Sequence, residues 1–134
     1  MIRILIIEDN LLNLELVTDL LEENGFIVYQ ARTAGEGVRV AQHILPDLIL
    51  MDFGLPDMHG LAATRILKES EITGHVPIIA LTAHAMKGDE RVAREAGCNG
   101  YFTKPIDTRT FVETLTQFLP NQPIEETSSK TYAK

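Results

Sequence analysis

Short runs of apolar residues alternate along the chain with segments in which apolar residues recur every three or four positions. An apolar run bounded by polar residues is typical of a strand that is buried on both faces of a parallel sheet. We predict five such strands, at 4–7, 26–29, 47–52, 76–82 and 101–103. The early Pro77 fits the start of the fourth strand, because proline is tolerated where a strand begins.

The segments between the strands carry the spacing of amphipathic helices. The inward face of the first predicted helix carries Leu12, Val17, Leu20 and Leu21, and Asn24-Gly25 ends this helix. Further helices are predicted over about 36–44, 60–70 and 85–96, with Ile66 and Leu67 inward in the second of these. Asp107 is predicted to cap a fifth helix. Its core face carries Phe111, Leu115, Phe118 and Leu119.

This alternation of strand and helix predicts an α/β fold with a doubly wound, five-stranded parallel sheet and five helices. The flavodoxin-like strand order 2-1-3-4-5 places the first and third strands side by side. A Rossmann order would need a sixth strand. The strand order itself is not written in the sequence, so it is a prediction for the structure to test.

Composition limits the possible functions. The length of 134 residues suits one domain, and 45% hydrophobic residues suffice for a core. We expect this domain to cover residues 1–119 and the polar segment 120–134 to be a flexible tail.

The net charge of −7 disfavours direct binding to nucleic acid or to an anionic membrane. One cysteine, Cys98, cannot form an internal disulfide, which fits a cytoplasmic protein.

Three carboxylates follow two of the predicted strands. Glu8 and Asp9 come directly after the first strand, and Asp52 ends the third. Ligands of such sheets bind outside the carboxyl ends of the strands. Three acids that converge there repel one another unless a cation joins them. Because the ligands are all oxygen, Mg²⁺ is the expected ion, and phosphate chemistry the expected use of the site.

Two further residues reach the same predicted edge: Thr82 ends the fourth strand and Lys104 follows the fifth. A hydroxyl and an ammonium there can bind phosphoryl oxygens. With these five positions, the sequence resembles the receiver domains of two-component response regulators over residues 2 to about 119. The matching stretches are IIEDN at 6–10, DLILMDFGLPDMHG at 47–60, PIIALTA at 77–83 and YFTKPI at 101–106. Within this family it is most similar to single-domain regulators of the DivK type.

The resemblance implies that Asp52 is the phosphoacceptor. It takes a phosphoryl group from a phosphohistidine on a sensor histidine kinase or a histidine phosphotransfer protein. Mg²⁺ is then held by Glu8, Asp9, Asp52 and the backbone carbonyl of Gly54, and Lys104 pairs with the phosphoryl oxygens. Phosphoryl transfer needs positioning and charge stabilisation more than covalent help. The protein is thus expected to be a signalling switch that catalyses its own phosphorylation and slow dephosphorylation, and not a conventional enzyme.

The resemblance also assigns a switch. Thr82 moves toward the phosphoryl group, Tyr101 turns inward behind it, and the surface of the fourth helix, fifth strand and fifth helix changes. Pro105 is a candidate for a cis peptide bond. Gly54 and His84 flank the entrance and are candidates for setting the phosphoryl lifetime. The output is a contact with a downstream protein, and a weak homodimer on phosphorylation is plausible.

Three alternatives remain open at the level of sequence. A hydrolase of the haloacid dehalogenase type usually has a second Asp two residues after its nucleophile, where this chain has Gly54, and this argues strongly against it. A pseudo-receiver would bind partners without phosphorylation, although the intact Glu8, Asp9, Asp52, Thr82 and Lys104 argue against that. The third alternative is that the chain is a receiver cut from a larger hybrid kinase or DNA-binding regulator. Mapping the genomic stop codon would decide this.

Overall fold

The computed structural model describes residues 1–82 and 87–119, without the side chains of 87–89. Along the chain lie β1 (Arg3–Ile7), α1 (Leu11–Glu23), β2 (Ile27–Ala31), α2 (Ala34–Ile44), β3 (Leu48–Asp52), α3 (Gly60–Glu69), β4 (Ile78–Thr82), α4 (Lys87–Ala96), β5 (Gly100–Thr103) and α5 (Phe111–Thr116). None of the described helices is long and apolar enough to cross a membrane.

The strands form one parallel sheet in the order β2-β1-β3-β4-β5, which confirms the predicted fold class and order. In its register, Ile7 pairs with Met51, and Thr82 pairs with Thr103. The chain therefore leaves β1, β3, β4 and β5 at one common edge. Glu8, Asp52, Thr82 and Lys104 lie at or directly after these strand ends.

The core has two layers, one on each face of the sheet, because successive side chains of a strand point to opposite faces. One layer joins Leu5, Ile7, Ile49 and Met51 to the inner faces of α2, α3 and α4. The other joins Ile4, Ile6, Leu48 and Leu50 to α1 and α5. Every residue of β3 and β4 is buried, which explains why these strands are continuous apolar runs without alternation.

Two predicted helix faces are wrong by one or two positions. In α1 the buried residues are Leu14, Val17 and Leu21, while Leu12 is 77% exposed. The three buried residues share one helical face because the second and third lie three and seven positions after Leu14. Leu12 lies outside this face. In α3 Leu67 is buried but Ile66 is 42% exposed. Adjacent residues point about 100° apart on a helix, so only one of the pair reaches the core.

Two predicted boundaries also change. The second helix begins at Ala34, earlier than expected, because Thr33 caps it by accepting a hydrogen bond from the Glu36 amide. Asp107 does not directly precede α5, which begins at Phe111. It opens the preceding turn instead, and its carboxylate accepts the Arg109 amide. The predicted start of the fourth helix at 85–86 and the predicted tail at 120–134 lie outside the described residues.

Helix α2 packs very closely on β1 at Gly37. A Cβ added to this glycine would lie 2.7 Å from Cγ1 of Ile7, the last residue of β1. Only a residue without a side chain fits, so Gly37 sets the distance between α2 and the strand that carries Glu8. Gly35, two residues earlier, is different: its nearest neighbour would be Oδ2 of Asp57 at 3.5 Å.

We predict opposite effects of alanine at these two glycines. Gly37→Ala overpacks the contact with Ile7 and should lower the free energy of unfolding by about 1–3 kcal/mol. Gly35→Ala, the control, improves helix propensity without a clash and should raise it by up to about 1 kcal/mol. Urea unfolding of both variants and the wild type measures the difference. Equal stability of the two variants would contradict the close packing at Gly37.

Candidate metal centre

The acids that the sequence predicted to converge do meet in the structure. Glu8 is 1% exposed and Asp52 is 4% exposed, whereas Asp9 is only partly buried. One carboxylate oxygen from each of the three lies within 4.8 Å of the others. Glu8 is oriented from its own loop, because the Asn10 amide donates to Glu8 Oε2 at 3.1 Å. Asn10 also caps α1 by accepting the Asn13 amide.

Lys104 reaches into this group of acids from the end of β5. Its Nζ lies 3.0 Å from Glu8 Oε1 and 3.2 Å from Asp52 Oδ1. It also donates to Glu8 Oε2 at 3.4 Å. The Lys104 amide donates to the carbonyl of Thr82 at 2.7 Å, and the peptide bond from Lys104 to Pro105 is cis. One ammonium thus contacts two buried carboxylates.

Burial and charge act on the ionisation of this group in opposite directions. Burial raises the pKa of Glu8, and the negative charge of Asp52 adds to the rise, although hydrogen bonds from Lys104 and Asn10 oppose it. Burial by itself lowers the pKa of Lys104, but the hydrogen bond to Glu8 and the charge of Asp52 outweigh it and raise that pKa. Lys104 therefore stays cationic at neutral pH.

The residues fit a hard divalent cation. Glu8 Oε1 is buried and has no hydrogen-bond partner among the described residues, because its 3.0 Å contact with Lys104 is an ion pair without hydrogen-bond geometry. A buried carboxylate oxygen left in this way is costly unless an ion or a water satisfies it. Carboxylates at this spacing suit Mg²⁺, which takes few protein ligands and keeps several waters.

The structure describes all but one of the other predicted site residues. Thr82 is almost fully buried at the end of β4. Gly54 is next to the acids, and its amide donates to Asp52 Oδ1 at 3.0 Å. Tyr101, on β5, is partly exposed and packs against the core layer under α2, α3 and α4. His84 lies outside the described residues.

Two contacts of the surrounding loops were not predicted. Asp57 accepts hydrogen bonds from the amides of Ala34 and Gly35, and the Arg32 guanidinium donates to the carbonyl of Asp9. These partners are 22 or 23 residues apart in the chain. The only sequence signal was an acid in the loop after Asp52, and such an acid is more often solvated than paired.

Comparison with known proteins gives a consistent result. The family model described as "Response regulator receiver domain" matches residues 4–116. The polar-differentiation response regulator DivK of Brucella ovis is 45% identical over 116 residues, which cover 87% of this chain and 94% of DivK. DivK of Brucella anthropi is 44% identical over the same proportions.

Solved structures agree with the fold and with the sequence relationship. The receiver domain of the sensor histidine kinase PA1611 from Pseudomonas aeruginosa PAO1 superposes with a TM-score of 0.80 at 36% identity, covering 87% of this chain and 95% of that one. Its structure contains a magnesium ion coordinated in the active site cleft. The chemotaxis protein CheY4 of Vibrio cholerae has a TM-score of 0.84, 24% identity and coverage of 89% and 99%, and it supports the fold alone.

Removal of the buried charge should stabilise the metal-free protein. Because the folded state raises the pKa of Glu8 above its ordinary value, ionisation of Glu8 costs stability as the pH rises from about 4.5 through the raised pKa. Glu8→Gln avoids this cost, and Lys104 keeps Asp52 as a partner. At pH 7 in EDTA we expect its melting temperature to exceed that of the wild type by about 2–5 °C.

Mg²⁺ should reverse this order by stabilising the wild type more than Glu8→Gln. Glu15→Gln, on the exposed side of α1, is the control and should melt like the wild type. Thermal unfolding followed by circular dichroism, with EDTA and with Mg²⁺, tests both statements. A Glu8→Gln variant that melts below the control in EDTA would show that ionised Glu8 stabilises the metal-free fold.

Proposed function

Since the chain belongs to the response regulator receiver domain family, we propose that it is a switch that accepts a phosphoryl group on Asp52 from a phosphohistidine. Phosphorylation-controlled signalling is the general function of this family. The observation that carries the proposal for this chain is the buried Asp52 carboxylate, with Lys104 Nζ at 3.2 Å and two further acids beside it.

In the proposed reaction an Asp52 carboxylate oxygen attacks the phosphorus. The new P–O bond forms as the P–N bond to the histidine breaks, and the electron pair of that bond returns to the imidazole nitrogen. The histidine leaves as neutral imidazole, because its other ring nitrogen is protonated before transfer or because the leaving nitrogen takes a proton from solvent. Glu8, Asp9, Asp52 and the carbonyl of Gly54 would hold Mg²⁺, which supplies charge neutralisation between the attacking carboxylate and the anionic phosphoryl group. The fixed positions of the acids provide the alignment.

Lys104 and Thr82 are the proposed ligands of the phosphoryl oxygens. Lys104 is held as an ammonium at the site before the phosphoryl group arrives, so it needs little rearrangement to pair with the new anion. Thr82 ends the neighbouring strand at the same edge of the sheet. The two residues are already joined by a hydrogen bond from the Lys104 amide to the Thr82 carbonyl.

Tyr101 is the proposed carrier of the signal away from the site. It lines a depression between α4 and β5, together with Ala93, Arg94, Cys98 and Gly100. We propose that the ring turns inward when Thr82 moves. The exposed surface of α4, β5 and α5 would then change, and a downstream protein would recognise it. A weak homodimer on phosphorylation would use the same surface.

The surface beside Glu8 and Lys104 supports a protein as the phosphoryl donor. Three leucines of α1 project into solvent: Leu11 is 50%, Leu12 77% and Leu16 47% exposed. A groove runs from Leu16 past Pro105 and Ile106 to Lys104 and Glu8. A sensor histidine kinase or a histidine phosphotransfer protein that covers these apolar residues brings its phosphohistidine to the mouth of the site.

We also propose the domain organisation and location. The receiver domain would cover residues 1–119, which the family match over 4–116 supports. Residues 120–134 would be a tail, and they lie outside the described residues. The cytoplasm is the proposed location, because phosphohistidine donors act there and because Cys98 is a buried free thiol.

Intact-mass measurement after incubation with acetyl phosphate and Mg²⁺ tests the function. We expect the wild type to gain one phosphoryl group, and neither Asp52→Ala nor the wild type in EDTA to gain any. A gain by Asp52→Ala would place the phosphoacceptor elsewhere. No gain by folded wild type with any donor would contradict the switch and favour a pseudo-receiver.

A phosphohistidine protein donor from the same organism extends this assay to the docking surface. Leu12→Glu should slow transfer from the protein donor but leave the reaction with acetyl phosphate unchanged. Ile72→Glu, a similarly exposed apolar residue in the loop before β4, is the matched control. Equal rates for both variants with the protein donor would argue against docking at α1.

Gly54 and His84 are the proposed determinants of the phosphoryl lifetime, because they flank the entrance to Asp52 in the family pattern. Glycine offers no polar side chain to orient an attacking water. The double variant Gly54→Asn, His84→Ala should change the rate of dephosphorylation, which phosphate release after donor removal measures. A decay rate equal to that of the wild type would refute the assignment.

A further inference from the structure

The loop that follows Asp52 is attached to the beginning of α2. Asp57, in that loop, accepts the Ala34 amide on Oδ1 at 2.8 Å and the Gly35 amide on Oδ2 at 3.0 Å. The first amides of a helix have no partner inside the helix and favour an anion. These two hydrogen bonds lower the pKa of Asp57. Its carboxylate is therefore ionised at neutral pH, and both of its oxygens accept hydrogen bonds from amides at the start of α2.

This attachment does not duplicate the cap that α2 already has. Thr33 is the N-cap residue, and its hydroxyl accepts the Glu36 amide at 3.1 Å. Asp57 instead accepts hydrogen bonds from the Ala34 and Gly35 amides, and it lies in another loop of the protein. One helix start thus has a local cap and a tertiary contact, and each can be removed separately.

The start of α2 is in turn attached to the loop that carries Asp9. The Arg32 guanidinium donates to the Asp9 carbonyl at 3.0 Å, and the Arg32 amide donates to Glu36 Oε1 at 3.0 Å. The Glu8 amide donates to the carbonyl of Ala31 at 2.9 Å. The junction between β2 and α2 is consequently fixed relative to the first two acids of the site.

A chain of hydrogen bonds therefore connects the two loops that carry the metal ligands. It runs from the loop of Glu8 and Asp9 through the β2–α2 junction to Asp57. Asp57 lies three residues after Gly54, whose carbonyl is the one proposed ligand from a backbone. Gly54 is exposed. Ligands of a metal site need outer partners that hold them in place.

We propose that Asp57 is a positioning residue that docks the β3–α3 loop on α2 and thereby holds the Gly54 carbonyl in register with Glu8, Asp9 and Asp52 for Mg²⁺. This inference rests on the proposed function, because it assigns Asp57 a part in that same site. If Asp57 only stabilised the fold, the loss of any hydrogen bond at the start of α2 would change Mg²⁺ binding to the same extent.

The test compares the Mg²⁺ affinity of the wild type, Asp57→Ala and Thr33→Ala. Thr33→Ala removes a hydrogen bond from the same helix start but leaves the β3–α3 loop attached. Titration with MgCl₂, followed by the amide resonances of the site in ¹H–¹⁵N spectra, gives the dissociation constants. We expect Asp57→Ala to raise the constant about 3–10-fold, at or below the low end for outer partners of a metal site because Asp57 acts through the loop, and Thr33→Ala to change it less than about twofold.

Phosphorylation by acetyl phosphate gives a second readout. Asp57→Ala should need more Mg²⁺ for its half-maximal rate but reach the wild-type rate at saturating Mg²⁺. Asp57→Asn, which keeps one acceptor oxygen, should lie between wild type and Asp57→Ala, and it carries the comparison if the alanine variant does not fold.

Equal Mg²⁺ constants for the Asp57 and Thr33 variants would overturn the inference and leave the proposed function intact, provided that the wild type binds Mg²⁺ and is phosphorylated. A wild type that binds no Mg²⁺ would overturn both.

Discussion

The contact of one lysine with two buried carboxylates is the interaction on which the site depends. Glu8 and Asp52 are nearly inaccessible to water, and Lys104 is the cation beside both. Charges are buried at a high cost, which a single partner only partly offsets. The sheet enforces the arrangement, because the register of four parallel strands brings these side chains to one edge. The group of acids that the sheet brings together around one ammonium is what a divalent cation can neutralise.

Much of the fold could be predicted because its strands are buried on both faces. The apolar run Leu48–Asp52 predicts a strand without any tertiary information. An acid at the end of such a strand lies at the edge of the sheet where ligands bind. The position of Lys104 after a short apolar segment allowed the same argument. Helix faces were harder: Leu12 and Ile66 are apolar yet exposed, and only packing decides which leucine or isoleucine reaches the core.

Contacts between loops could not be predicted for a different reason. Asp57 and the amides of α2 meet because the strand order brings their loops together, and a hydrogen bond to a backbone amide leaves no trace in the partner's residue type. The same applies to Arg32 and the Asp9 carbonyl. Such contacts connect the fold to the proposed function, since they fix the positions of loops that the strands alone do not define.

A crystal structure of the protein with Mg²⁺ and beryllofluoride, a mimic of the phosphoryl group, tests the central claim most directly. We expect the metal to contact carboxylates of the group Glu8, Asp9 and Asp52 together with the Gly54 carbonyl. The beryllofluoride should be bonded to Asp52, with Lys104 and Thr82 on its fluorines. A metal bound elsewhere, or a beryllofluoride on another residue, would contradict the account.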